Sequence, residues 1–307
     1  MGGALASLTT FTRPIIGTTD ILIRVKAVAI NPADVKMIDQ GHRVQSWPLV
    51  PGLDGAGVIE DMGRDVKGFE RGDHVLALFV AGDEAASFQS LARVPERAVA
   101  KVPASWSLED AATLGRATDR HDATFSSGSG GSSAVGAATI QLLRRALPGC
   151  KILTTSSPKH HAHLRNTLGA DTALDRGSTT LARDVRSATP GCRGVDAIVD
   201  TVGAGAAQQD IFQALNPRGP QRYAQVWTGA AEIEAPPEVD SVLFRGRDLP
   251  QLPGHENIMF TLQSLLEEQK YQLPLPVRHV GHGLTALQRG LELMRDGVSG
   301  EKLVATI

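Results

Sequence analysis

Apolar and polar positions along the chain set two different rhythms. In the first third, "DILIRVKAVAI" (20–30) and "PLVPGLDGAGVIEDMGRDVKGFERGDHVLAL" (48–78) are short apolar runs broken by Gly, Asp and Arg. Gly52, Gly55, Gly57, Gly63, Gly68 and Gly72 fall at turn-like intervals, the pattern of a compact β domain. "ASFQSLARVPERAVAKVP" (86–103) adds strand. Ser107, with Asp110 three residues on, marks the start of a helix.

From the middle onward the rhythm becomes strand, helix, strand, at 10 to 20 residues per step. "SAVGAATIQLLRRAL" reads as a helix, "KILTTSS" as a strand, "PKHHAHLRNTLGA" as a helix and "DTALD" as a strand. "TLARDVRSAT" then reads as a helix, "GVDAIVDTVG" as a strand, "AQQDIFQAL" as a helix, and "QRYAQVW" and "VDSVLFR" as strands. Such alternation implies βαβ units around a parallel sheet. "GHENIMFTLQSLLEEQK" (254–270) is an amphipathic helix, and the tail after it leaves the alternation.

Composition narrows the function class without choosing one. Apolar residues are 42% and charged residues 21%, ordinary for a globular chain, and the net charge of −2 gives no pull toward nucleic acid or an anionic membrane. Aromatics are only 4%, with no basic stripe interleaved, so nucleic-acid binding is not expected. No run approaches the 18 or more apolar residues of a membrane span, and the opening "MGGALASLTTFTRP" lacks a signal peptide's features. Cys150 and Cys192 are the only cysteines, read as reduced thiols of a cytoplasmic protein.

The chemistry concentrates in "DATFSSGSGGSSAVGAATIQLLRRA" (122–146), where a β-prone run, read as "DATFS", enters a Gly/Ser knot and leaves as a helix. A bound pyrophosphate needs a tight turn, backbone free of Cβ atoms and the exposed N–H groups of a helix start. Gly130, Gly131, Ser132, Ser133, Ala134 and Val135 permit all three, with Ser133 standing where the usual fingerprint has its third Gly. The next strand ends in "TTSSPKHH", without the acid that accepts hydrogen bonds from the NAD ribose. Ser156, Ser157 and Lys159 instead suit a 2′-phosphate, and so point to NADP(H). Ser157-Pro158 also suits a plain helix cap, and both readings hold together. Arg176 is either a second positive contact or a solvated surface residue.

With these residues in place, the chain resembles the medium-chain dehydrogenase/reductase superfamily, in its zinc-independent quinone-oxidoreductase and enoyl-reductase branch of fungal type. The carrying segments are "VKAVAINPADVKMIDQG", "PGLDGAGVIEDMGRDVKGFERGDHV", "GGSSAVGAATIQLLRRA", "SSPKHHAHLRNTLGAD" and "GVSGEKLVATI". The resemblance implies an α/β protein. A Rossmann doubly wound parallel sheet (118–255) would be joined to a GroES-like β domain made from both chain ends (1–117 and 256–307). It also implies hydride delivery from NADPH to an enone, quinone or polyketide-like acceptor, and the family habit of pairing as a homodimer, with "VDSVLFR" as the candidate edge.

Zinc-dependent members carry Cys where this chain has Asn31, and a His-Glu pair where it has Leu53-Asp54. A metal-free site is the expectation. In similar enzymes the "NPAD.K" segment lines the cleft. That implies Asn31 as a hydrogen-bond partner of acceptor or cofactor, and Lys36 as a stabiliser of enolate charge or a proton donor. The plain alternatives are turn chemistry at Asn31-Pro32 and a solvated lysine. Asp54 is expected to order a β-domain turn. The nicotinamide floor would come from Thr201, Val202 and Gly203, Val226 and Leu243, with Thr118 also reaching it. Only 11 residues separate Thr118 from Gly130, fewer than in similar enzymes. That shortening keeps two further readings open: a non-redox isomerase, cyclase or cofactor-binding protein on the same scaffold, or a non-catalytic paralogue.

Overall fold

The computed structural model describes residues 9–42, 44–82, 84–115, 127–206, 208–228 and 232–307. They divide into two compact units, one drawn from 1–116 with 256–307 and the other from 117–255.

The first unit contains strands β1 (Asp20–Ile30), β2 (Asp54–Met62), β3 (His74–Leu78), β4 (Leu91–Pro95) and β5 (Val99–Lys101). Its first two helices are α1 (Pro32–Gln40) and α2 (Leu108–Ala111). β1 is the organiser. Ile21–Ile23 are buried, Arg24 and Lys26 are exposed on either side of buried Val25, and Ala27–Ile30 is buried throughout, so most of the strand lies inside and only its middle alternates. β1 pairs with β2 along its length. Its other edge is shared by β4 near the start and by a strand from the chain's end near its finish. Pro32 at the first helical position and Gly41 at φ 65° bracket α1, so the Asn31-Pro32 step opens a helix.

The second unit contains β6 (Ser127–Ser129), α3 (Ala134–Ala146), β7 (Leu153–Ser156), α4 (His161–Asn166), β8 (Thr172–Asp175) and α5 (Leu181–Ser187). β9 (Ala197–Asp200), β10 (Arg222–Val226) and β11 (Asp240–Phe244) complete its six-stranded sheet, in the order β11-β10-β9-β6-β7-β8 with every pair parallel. This is the doubly wound order, with the switch point between β6 and β9. Leu153, Val185, Ile198, Leu215 and Tyr223 lie in its core. "AQQDIFQAL" departs from its expected α-helix: Gln209–Ala214 is a 3₁₀ stretch. The expected strand 122–126 lies outside the described residues, and the described strand, Ser127–Ser129, falls in the run read as the knot.

The remaining elements belong to the first unit: α6 (Ile258–Glu267), β12 (Val277–His282), α7 (Leu284–Asp296) and β13 (Lys302–Thr306). β13 lies between β12 and β1, so the chain's end closes a seven-stranded sheet begun near its start. Ile23, Val28, Phe79, Leu287 and Leu303 share its core.

Candidate functional site

Between β6 and α3 the chain makes a close turn against its neighbours. Gly130 has φ +79°, and a Cβ there would sit 2.5 Å from a methyl of Val202. A Cβ on Gly131 would fall 2.0 Å from Thr154 Oγ1, and one on Gly136 2.3 Å from the Gly130 carbonyl oxygen. Gly136 thus provides the close helix approach expected at Ser133. Ser133 is the N-cap, its Oγ accepting the Gly136 N–H at 3.0 Å.

Accounting for the amides decides what the turn offers. Gly131 N donates to Thr155 O at 3.0 Å and Ser133 N to Gly130 O at 2.9 Å. The Gly131 and Ser133 amides are therefore spent on β7 and on the turn itself, which leaves Gly131 only its lack of a Cβ to offer a phosphate. Ser132, Ala134 and Val135 N–H have no hydrogen-bond partner among the described residues. Donors so placed at the start of a 13-residue helix lie at the positive end of its dipole, the arrangement that suits an anion.

The opposite side of the switch point is the loop after β9. Thr201 Oγ1 lies 3.1 Å from Ser133 Oγ and 3.4 Å from the Gly130 oxygen. Val202 is exposed, Val226 is buried at the end of β10 and Leu243 is half-buried on β11, the outer strand. Asp200 and Tyr223, which hold this loop from beneath, carried no signal in the local pattern.

At the end of β7 the candidate residues separate. Ser156 is fully buried and its Oγ donates to Ser157 O at 3.2 Å, so it is not offered to a ligand, contrary to expectation. Ser157 precedes the 3₁₀ turn Pro158–His160 with extended φ/ψ and makes no side-chain capping bond, leaving its hydroxyl available. The Arg176 N–H donates to Ser156 O at 3.0 Å, which brings the start of the loop after β8 beside Ser157. The exposed side chains of Lys159 and Arg176 have no ion-pair or hydrogen-bond partner among the described residues. Burial, and then the charges of Lys159, Arg176, His163 and His161, hold the His160 imidazole below its ordinary pKa. Asp175 is the carboxylate at the end of β8, and its Oδ1 accepts the Gly177 N–H at 2.9 Å.

The first unit holds a buried polar cluster. Asn31 Nδ2 donates to Asp54 Oδ2 at 3.1 Å and to Ala29 O at 3.4 Å, and Lys302 Nζ donates to Asn31 Oδ1 at 2.5 Å and to Asp54 Oδ2 at 3.1 Å. The Asp34 carboxylate accepts the Asn31 N–H at 2.8 Å. Asn31 therefore spends its amide inside the unit, correcting its expected role as a partner of acceptor or cofactor. Asp54, fully buried at the start of β2, braces this cluster rather than a turn. Burial first, and then the Asp54 charge, raise Asp34 to about 6. No local pattern in the sequence marks Lys302. Lys36 is half-buried on α1, and Thr118 lies outside the described residues. Among the described residues no three His, Cys, Asp or Glu side chains gather as a metal would require, and no helix is long and apolar enough to cross a membrane.

Comparison with known proteins places these features in a family. Residues 17–104 match the alcohol dehydrogenase GroES-like domain, and residues 134–249 match the zinc-binding dehydrogenase domain. Trans-enoyl reductase TOXD of Cochliobolus carbonum is 31% identical over 222 residues, spanning 65% of this chain and 72% of that protein. Trans-enoyl reductase himH of Aspergillus japonicus is 28% identical across 94% of this chain and 90% of its own length. In fold, the chain is similar to the CurK enoyl reductase, with TM-score 0.79 and 20% identity over 97% of this chain and 94% of that one. An alcohol dehydrogenase superfamily protein from Novosphingobium aromaticivorans gives TM-score 0.81 and 22% identity over 98% and 96%. The chain belongs to the medium-chain dehydrogenase/reductase superfamily, as an oxidoreductase of its enoyl reductase-like branch built from a GroES-like and a Rossmann domain.

Proposed function

We propose that the protein is an NADPH-dependent, zinc-independent reductase that transfers hydride to an α,β-unsaturated carbonyl or a quinone. A nicotinamide coenzyme comes with the family; its phosphorylated form is our reading. The observation that carries it is the pairing of two features at adjacent strand ends. The Ser132, Ala134 and Val135 amides beside the glycine turn have no partner among the described residues, and the end of β7 offers Ser157, Lys159 and, from the next loop, Arg176, with no carboxylate on that strand. An NAD-preferring site would place Asp or Glu there to accept from the ribose 2′-OH.

In this reading the three amides hold the coenzyme's diphosphate, and Ser157, Lys159 and Arg176 hold its 2′-phosphate. Val202, Val226 and Leu243, at the ends of the later strands, flank the nicotinamide. When bound, the reduced nicotinamide supplies the hydride. Lys36 and Thr118 are the candidates for polarising the acceptor or steadying the charge that develops on it. Asn31 acts through the elements it ties together, without touching the reacting atoms. Asn31 and Leu53-Asp54 stand where zinc-dependent members carry ligands, and an electron-poor double bond needs orientation and polarisation more than a metal. The relatives named trans-enoyl reductase support an enoyl acceptor, and a small or polyketide-like one belongs to the same reading. Pairing of two copies through β11 belongs to the same reading.

The test is NADPH absorbance followed with a panel of enones and quinones, beside NADH as control. Consumption of NADPH with an enone or quinone, and weak use of NADH, is the expected outcome. Failure of every acceptor to oxidise NADPH counts against the proposal.

A further inference from the structure

Asp200 closes β9 with its side chain 1% exposed and without a cation beside it among the described residues. Its charge is met by hydrogen-bond donors. Oδ1 accepts the Val202 N–H at 3.1 Å and the Gly203 N–H at 2.8 Å, while Oδ2 accepts the Gly205 N–H at 2.9 Å and the Tyr223 hydroxyl at 2.8 Å. Tyr223 is also 1% exposed and stands edge-on to Phe212, ring centroids 4.9 Å apart. A buried carboxylate so fully donated to is held rigidly, because any donor lost leaves charge uncompensated in a medium of low dielectric.

What the carboxylate holds is the loop that meets the glycine turn. The backbone it fixes, Val202 to Gly205, begins one residue after Thr201, whose Oγ1 reaches Ser133 Oγ and the Gly130 oxygen. The Val202 methyls sit where a side chain on Gly130 would have to go. Gly205 is itself seated against the phenol, since a Cβ there would come 2.7 Å from the Tyr223 oxygen. The chain of contact runs from Tyr223 to Asp200, to the 201–205 loop, and on to Gly130 and the Ser133 cap of α3.

We propose that Asp200 and Tyr223 are positioning residues for the dinucleotide: their carboxylate–phenol pair sets the 201–205 loop against the glycine turn and so aligns the free amides of Ser132, Ala134 and Val135. This rests on the reading of that turn as a coenzyme cradle. Neither residue touches the coenzyme. Their effect reaches NADPH and NADH alike, because the shared diphosphate is what the aligned amides meet.

The experiment titrates NADPH and NADH against the full chain and its variants, with thermal unfolding measured in parallel. Tyr223→Phe keeps the ring and removes one donor from Asp200. It is expected to weaken both coenzymes by at least about fivefold, as loss of one hydrogen bond to a charged group entails. Phe212→Leu loosens the packing around the same ring and leaves the hydroxyl in place; it is expected to lower the Tm while keeping both affinities within about twofold. Thr201→Val cuts the loop from Ser133 and Gly130 and carries the same expectation as Tyr223→Phe if that variant fails to fold. Unchanged affinity in Tyr223→Phe and Thr201→Val, or an equal loss in Phe212→Leu, overturns the proposal. A wild-type chain that binds neither coenzyme overturns the cradle reading itself, and is told apart by the first titration.

Discussion

Lys302 donates its Nζ to Asn31 Oδ1 at 2.5 Å across 271 positions of sequence, inside the first unit. The same ammonium meets Asp54 Oδ2 at 3.1 Å, and Asp54 has no exposed surface. One lysine on β13 thus ties together the β1–α1 junction and the start of β2. Removing one partner of a buried ion pair leaves the other charged, desolvated and uncompensated.

Lys302→Met is therefore expected to destabilise the first unit by about 3–5 kcal/mol, the usual cost of breaking such a pair from one side. Lys302→Met combined with Asp54→Leu removes both charges and is expected to recover a good part of that loss. Denaturant unfolding of the two variants reads the difference. A double variant no more stable than the single one shows that the charges are not what holds the junction.

Asp34 makes stability depend on pH in the direction opposite to most carboxylates. Its folded-state value is raised from 3.8 to about 6, chiefly by burial. Between those values the folded chain keeps the proton that the unfolded chain releases, so stability falls as pH rises from about 4 to about 6 and levels off above. At roughly 1.4 kcal/mol per unit this is on the order of 3 kcal/mol. Asp39 and Asp61 act the other way. The Arg295 hydrogen bond holds the first low, and the Met62 N–H, followed by Arg71, the second. The readable quantity is therefore the difference between wild type and Asp34→Asn, which keeps an acceptor for the Asn31 N–H. That difference should favour the variant increasingly from pH 4 to pH 6. A difference that stays flat across the window means that Asp34 ionises normally.

The alternation of short strands with helices from β7 to β11 is legible in sequence, because short β-prone segments alternate with helix-prone ones at steps of 10 to 20 residues. The glycine turn is legible as well, since Gly128, Gly130 and Gly131 cluster with serines directly before a helix capped by Ser133. What escapes is what depends on orientation or distant partners. Nothing local tells that the Gly131 amide faces Thr155 rather than a ligand, or that Ser156 is buried while Ser157 is free. Asn31 followed by Pro32 reads locally as a turn, and its partner, Lys302, lies 271 positions away on β13, where nothing local links the two. Asp200 looks like any acid at a strand end until Tyr223 is brought alongside by β10.

Coenzyme choice at the end of β7 is open to a direct measurement. Lys159→Ala and Arg176→Ala each remove a cation that has no partner among the described residues, on the segments that flank Ser157, and leave the amides of the glycine turn intact. Each is expected to weaken NADPH about tenfold, the scale of one charge-assisted contact, with NADH unchanged. The NADPH loss should shrink at high salt, as exposed charges are screened. Isothermal titration with both coenzymes decides it. Equal losses for NADPH and NADH, or none for either, remove these residues from 2′-phosphate recognition.

Gly131 and Gly136 lead to a sharper contrast, because their obstacles differ in kind. A Cβ at Gly131 collides with a side chain, Thr154 Oγ1 at 2.0 Å, whereas a Cβ at Gly136 collides with backbone, the Gly130 oxygen at 2.3 Å. Gly131→Ala must push β7 away from the turn, and Gly136→Ala must lift α3 off it. Both are expected to abolish measurable dinucleotide binding or to lower it by about a hundredfold, since the free amides at Ser132, Ala134 and Val135 move with the helix start. Thr154→Ala clears Oγ1 and leaves only the residue-154 Cβ, at 3.2 Å, a distance that small shifts absorb. Adding it to Gly131→Ala should therefore restore binding to within about tenfold of wild type. Adding it to Gly136→Ala should restore nothing, because no side-chain deletion relieves contact with a carbonyl oxygen. Rescue of both variants by Thr154→Ala, or of neither, shows that something other than the close approach of α3 to the turn governs the cradle.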